Sequence, residues 1–138
     1  MRLMGIDFGD ARVGIALSDP LMIMSQGYKT IKNDGTENLY KEIAEIVKEK
    51  DVTKIVIGLP KNMDNSQGFR TDATMEFADK LKKYISVEID FSDERLTTVS
   101  AHGFLNEMNV RGKKRKGAVD TLSAALILET YMKKNGLN

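Results

Sequence analysis

The chain opens with two apolar runs separated by only a few residues. Leu3-Met4-Gly5-Ile6 leads into Asp7, and Val13-Gly14-Ile15-Ala16-Leu17 leads into Ser18. Strands over Arg2 to Asp7 and Arg12 to Ser18, joined this briefly, are expected to pair as an antiparallel hairpin. The acid at the end of the first strand is the informative residue. Burying a lone carboxylate costs several kcal/mol or shifts its pKa, unless something cationic meets it. Gly9 follows closely and would let a phosphate or a metal approach the backbone. The opening therefore suggests a site for metal plus phosphate, either in a nuclease or in a nucleotide-binding ATPase.

Beyond the hairpin the chain alternates helices and strands. Gly27 to Ile31 reads as a weaker third strand, and Asn33-Asp34-Gly35-Thr36 as a turn that starts a helix. Leu39, Ile43, Ile46 and Val47 form one apolar stripe, so a helix is expected from about Glu37 to Lys50. Lys54 to Pro60 reads as a β-branched strand, Lys61 to Gln67 as a polar loop, and Phe69 to Ile85 as a second helix. Val87 to Phe91 is the next strand. Thr97 to Met108 and Ala118 to Lys134 are two further helices, the last apolar around much of its girth. This order fits an α/β fold, one mixed central sheet with helices on both faces. Such sheets present functional groups at strand ends, near the point where the connections reverse direction.

A length of 138 residues suits a single domain over 1–138 with a real core. The net charge of +1 gives no global basic field, so any nucleic-acid binding must come from a local patch. Without cysteine there can be no disulfide and no thiolate metal site, which fits a reducing cytosol. No signal-peptide pattern opens the chain, and no apolar stretch approaches the roughly 18–20 residues that span a bilayer. A cytoplasmic protein with no membrane contact is expected.

Three places put carboxylates at the margins of elements. Asp7 ends the first strand, Asp93-Glu94 is expected just after a strand, and Asp120 is expected in the first turn of the last helix. Magnesium and manganese take oxygen ligands, usually one or two carboxylates per ion. Two ions about 4 Å apart clamp an in-line phosphodiester displacement. Plainer roles exist for each acid: Asp93 as a turn residue, and Asp120 as a helix-start acid favoured by the macrodipole. One dense basic run, Arg111, Lys113, Lys114, Arg115 and Lys116, lies just before Asp120. It reads as a loop on which a polyanion would land with salt-dependent affinity, or simply as a solvated connection. Arg12 is placed either to pair with an acid or to reach a phosphate. Asn62 is a candidate to line the cleft, and His102 is given no role.

Together the motifs resemble a known family. Gly5-Ile6-Asp7-Phe8-Gly9, Arg12-Val13-Gly14-Ile15-Ala16, Ser18-Asp19-Pro20, Gly58-Leu59-Pro60 with Asn62 and Asp64, Asp93-Glu94-Arg95-Leu96-Thr97-Thr98, and Lys116-Gly117-Ala118-Val119-Asp120 with Ser123-Ala124-Ala125 are similar to the YqgF family, also called RuvX. The resemblance runs nearly end to end. It implies the ribonuclease H-like fold of the RuvC resolvases and a metal-dependent phosphodiesterase using Mg²⁺ or Mn²⁺. The family's acids fall on Asp7, Glu94 and Asp120, with Glu94 preferred over its neighbour Asp93. Three acids stand here where some relatives have four. The implied role is maturation of the 5′ end of 16S rRNA, with precursor rRNA, free or within ribosomal particles, as the partner of a monomer or weak homodimer. The alternatives are a Holliday-junction resolvase acting on branched DNA and a non-catalytic nucleic-acid-binding regulator. Asp7-Phe8-Gly9 followed by Gly14 also resembles the phosphate loop of actin-like and sugar-kinase-like ATPases, which close a cleft between two such domains.

Overall fold

A computed structural model of the chain describes the backbone of residues 2–21, 24–59, 69–93 and 112–136, with side chains over the same ranges except 69–71, 93 and 112–120. Five strands form one sheet: β1 (Arg2–Phe8), β2 (Arg12–Ser18), β3 (Ser25–Lys32), β4 (Val52–Leu59) and β5 (Glu88–Asp93). Their spatial order is β3-β2-β1-β4-β5. β1, β2 and β3 form an antiparallel meander, while β4 and β5 add in parallel beyond β1. Parallel addition needs crossovers, and these carry α1 (Glu37–Glu49) and α2 (Phe69–Leu81). The last described element is α3 (Gly112–Lys134).

Strand alternation sorts the apolar residues into two layers. Met4, Ile6, Val13, Ile15, Leu17, Ile31, Ile55 and Ile57 face α1 and α2, meeting Leu39, Ile43, Ile46, Phe77, Ala78 and Leu81 in one buried cluster. Full burial of each such side chain stabilises the fold by about 1.5–3 kcal/mol. Phe8 stacks on Phe77 at 4.5 Å, which closes this layer at the end of β1. The residues between them face α3. Leu3 and Val56 pack with Ile127, Leu128, Tyr131 and Met132, and Ala16 packs with Ala124 and Ala125. The expected mixed sheet with helices on both faces is what forms.

α3 crosses the strands rather than running along them, and the sheet is shaped to receive it. Gly27, Ala16, Gly5 and Val56 are paired in one transverse row. A Cβ on Gly5 would sit 2.6 Å from the Ala124 carbonyl oxygen, and one on Gly27 would sit 2.8 Å from Thr121 Cβ. The helix thus lies over β3 at Thr121 and over β1 at Ala124. It reaches β4 and β5 at Tyr131, whose hydroxyl accepts from Lys54 Nζ at 3.2 Å and donates to Asp90 Oδ2 at 2.9 Å.

Several boundaries differ from those expected, each for a local reason. β3 starts two residues earlier than expected because Ser25 and Gln26 pair with Ser18 and Leu17, and a bulge opposite Ile15/Ala16 absorbs Tyr28. α1 is capped by the Thr36 side chain, which accepts from the Asn38 amide, and the chain turns out of it at Asp51, whose φ of 54° is left-handed. α2 stops at Leu81, where a turn bonds the Tyr84 amide to the Leu81 carbonyl. β5 runs on to Asp93, so Asp93 belongs to the strand and does not follow it. α3 begins at Gly112, so Lys113, Lys114, Arg115 and Lys116 are helical rather than in a loop, and Asp120 lies beyond the first turn. Lys and Arg are good helix formers. An internal glycine such as Gly117 costs only about 1 kcal/mol, less than a well-packed helix gains. The expected helix over 97–108 lies outside the described residues.

Candidate active site

The carboxyl ends of the parallel strands β1, β4 and β5 share one margin of the sheet, at Phe8, Leu59 and Asp93. β1 is also where the chain order reverses, with β2 reached by hairpin on one side and β4 by crossover on the other. Open α/β sheets bind ligands at such a switch point. Asp7 stands there, half-buried, one alternation step past Gly5 and therefore on the face that α3 covers.

The cross-strand neighbours of Asp7 carry no side chain. On β2 its partner is Gly14. On β4 the ladder pairs Ile6 with Ile57, so the next residue level with Asp7 is Gly58. Both glycines are buried. Cross-strand neighbours stand about 4.5–5.5 Å apart, so a side chain at either position would crowd the carboxylate. The same row continues through Thr30 on β3 and Ser92 on β5. Asp7 thus has a glycine on each side across the sheet.

Basic residues border this row. Arg12 is two residues before Gly14, on the same face of β2, and it pairs across to Lys32. Arg12 and Lys32 thus stand two residue levels beyond Asp7 at the open margin. The tight β1–β2 turn holds them there: the Gly9 amide donates to the Arg12 carbonyl at 2.9 Å, and Asn33 Nδ2 donates to the Gly9 carbonyl at 2.8 Å. A Cβ on Gly9 would meet the Arg12 carbonyl oxygen at 2.7 Å. Closing this turn therefore already requires glycine, whatever phosphate does. Lys32 and Asn33 were missed by the sequence reading, because only the β2–β3 register reveals them.

The other expected residues divide as follows. Asp93 ends β5, paired with Leu59. Asp120 is on α3, four residues before Ala124, the residue seated over Gly5. Glu94, Asn62 and Arg111 lie outside the described residues, while Lys113, Lys114, Arg115 and Lys116 are placed by backbone alone. Among the described residues no three acids or histidines converge as a metal cluster.

Two further polar features lie on the α3 face. Asp90 accepts from the Phe91 amide at 2.8 Å and from Tyr131. These two bonds, the backbone one first, hold its carboxyl below the usual carboxylate range. Asp90 therefore braces β5 against α3 and is already engaged. Ser123 is different. Of the three buried polar side chains among the described residues, Ser18 accepts from the Leu3 amide and Thr74 has a partner, while Ser123 Oγ has none.

The family described as "RuvX: Holliday junction resolvase" matches residues 1–134. This chain belongs to the RuvX family. A Ruminiclostridium cellulolyticum relative named "Putative pre-16S rRNA nuclease" is 47% identical over 133 residues, covering 96% of this chain and 94% of its own. An Enterococcus faecalis relative of the same name is 45% identical, covering 96% of each chain. Among solved structures, T. thermophilus RuvC in complex with a Holliday junction substrate superposes with a TM-score of 0.58 at 11% identity, over 99% of this chain and 97% of that one. The Fowlpox virus resolvase in complex with Holliday junction DNA gives 0.56 at 12%, over 98% and 99%. At such identities the likeness speaks for fold alone, and it gives this RuvX chain the ribonuclease H-like fold that its motifs implied.

Proposed function

We propose that this RuvX protein is a divalent-metal-dependent nuclease that matures the 5′ end of precursor 16S rRNA, with Asp7, Glu94 and Asp120 holding Mg²⁺ or Mn²⁺. Hydrolysis of phosphodiester bonds is the chemistry of the family. The observation that carries the site is Asp7 at the switch point, flanked by Gly14 and Gly58, beneath the helix that bears Asp120. The donor set suits a hard cation: it is all carboxylate oxygen, and the chain has no cysteine. The unpartnered Ser123 hydroxyl is a buried donor on the same helix, which is the kind of atom that a loaded site would engage. For the third acid, the resemblance to the family prefers Glu94 over its neighbour Asp93.

When bound, one or two ions supply Lewis-acid charge at the phosphoryl group and lower the pKa of water. The chain's own residues do the rest. Asp7 anchors the site on a rigid strand end. Arg12 and Lys32 border the open margin and hold flanking phosphates. Lys113, Lys114, Arg115 and Lys116, with Arg111 and Asn62, extend the grip on the polyanion. The protein acts in the cytoplasm as a monomer or weak homodimer, on RNA that is free or within ribosomal particles. No helix among the described residues is long and apolar enough to cross a membrane.

The test is cleavage of a 5′-extended 16S rRNA precursor beside a four-way DNA junction, each with Mg²⁺, Mn²⁺ or EDTA. Metal-dependent cutting of the RNA, lost in Asp7→Asn while the variant keeps its fold, is expected. Cutting of the junction alone would replace this reading with a resolvase. Full activity in Asp7→Asn would remove Asp7 from the mechanism.

A further inference from the structure

The Ser123 hydroxyl is wholly buried, yet no donor or acceptor meets it. Leaving a buried hydroxyl without a partner is unfavourable, because the group has lost its water. A helical serine usually avoids this by donating back to the carbonyl four residues earlier. Ser123 does not. Such an atom in an otherwise satisfied core calls for an explanation.

Its place on α3 supplies one. The Ala125 margin of the helix is turned toward the amino-terminal end of β1, since Ser25 Oγ donates to the Ala125 carbonyl at 2.7 Å and Ser25 is level with Ser18 and Leu3. Ala124 and Leu128 sit over Gly5, at the middle of the strand. Position 123, two residues before Ala125 and so about 200° around the helix, occupies the opposite margin, toward the row of Asp7, Gly14 and Gly58. The buried unpartnered hydroxyl is therefore one turn from Asp120, on the side of the helix nearest the acid site.

We infer that Ser123 is a positioning residue of the metal site: its hydroxyl, which no protein group meets, donates a hydrogen bond to a carboxylate of the ion-holding set once an ion is bound. This rests on the metal-site reading of Asp7 above. Groups that hydrogen-bond to ligating carboxylates fix their orientation, and their loss typically lowers metal affinity about 10–100-fold. A serine that served the fold through a hydrogen bond would destabilise it when truncated, whereas a serine waiting for a ligand would not.

The experiment measures Mn²⁺ binding by titration calorimetry and thermal unfolding with and without Mn²⁺, for the wild type, Ser123→Ala, Ser123→Cys and Asp7→Asn. In Ser123→Ala the apo melting temperature should stay level or rise, while Mn²⁺ affinity falls about tenfold or more and the Mn²⁺-induced melting shift shrinks. Ser123→Cys keeps the volume and most of the shape but is a weak donor, so it should follow Ser123→Ala. Asp7→Asn should lose Mn²⁺ binding more severely. If Asp7→Asn loses binding while both Ser123 variants bind like the wild type, the Ser123 inference is overturned and the site stands. If Asp7→Asn also binds like the wild type, the site reading itself fails. A fall in the apo melting temperature of both Ser123 variants, with affinity unchanged, would make Ser123 a structural residue.

Discussion

Gly5→Ala tests how the sheet and α3 are fitted together. The added Cβ would stand 2.6 Å from the Ala124 carbonyl oxygen and 2.9 Å from Leu128 Cβ, where ordinary contact begins at 3.4 Å. The difference, 3.4 − 2.6 = 0.8 Å, must come from movement of the helix, because the nearest atom is backbone and cannot rotate away. Overpacking of this kind costs about 1–3 kcal/mol. Restricting the unfolded chain returns about 0.4–1 kcal/mol. A net loss of about 1–2 kcal/mol is expected, read as a lower urea midpoint at an unchanged m-value and a melting temperature lower by about 3–8 °C. Gly27→Ala is the comparison: its nearest contact, Thr121 Cβ at 2.8 Å, is also fixed to the backbone, so it too should be destabilised, by less only because the overlap is smaller than that of the 2.6 Å approach at Gly5. α3 also carries Asp120, which we propose holds the ion, and misplacing a catalytic group by about 1 Å can cost on the order of 100-fold in rate. Metal-dependent cleavage by Gly5→Ala should therefore fall by more than its folded fraction does. A Gly5→Ala protein as stable as the wild type would refute the close seating of α3 on β1.

Tyr131→Phe removes the hydroxyl that joins Lys54 on β4 to Asp90 on β5. The groups are partly exposed, so the loss at neutral pH should be about 0.5–1 kcal/mol. Asp90 is held below its usual value of 3.8, so its contribution is present above that pH and is lost as pH falls through the lower folded-state value. The gap in urea midpoint between wild type and Tyr131→Phe should thus narrow from pH 7 to pH 3, and a gap that widened would contradict the sign. Replacing Lys113, Lys114, Arg115 and Lys116 by alanine should weaken RNA binding and flatten the dependence of log K on log salt. A slope equal to that of the wild type would show that these cations do not grip the polyanion.

The elements read best from the sequence were those governed by local pattern. β2 falls on Arg12–Ser18 as expected, and α1 ends within one residue of its expected limit, because apolar alternation and a 3.6-residue stripe are properties of neighbouring residues. The start of α3 was misread, since a basic run around a glycine looks like a loop until the packed part of the helix is known. Asp7 stood out as a candidate because an acid ending an apolar strand is costly wherever the chain goes. Its surroundings were not. Gly14, Gly58, Arg12 and Lys32 gather around Asp7 only through strand register, and register is a relation between distant segments. The solitary hydroxyl of Ser123 is likewise invisible in sequence, where any buried serine is expected to find a partner. The sequence by itself determined most of the described elements, the two-sided sheet and the candidacy of the first acid, because these follow from periodicity and the cost of burying charge. Only the tertiary structure decided which residues share the row with Asp7 and how α3 crosses it, because these depend on how strands pair and on where glycine and alanine let a helix approach.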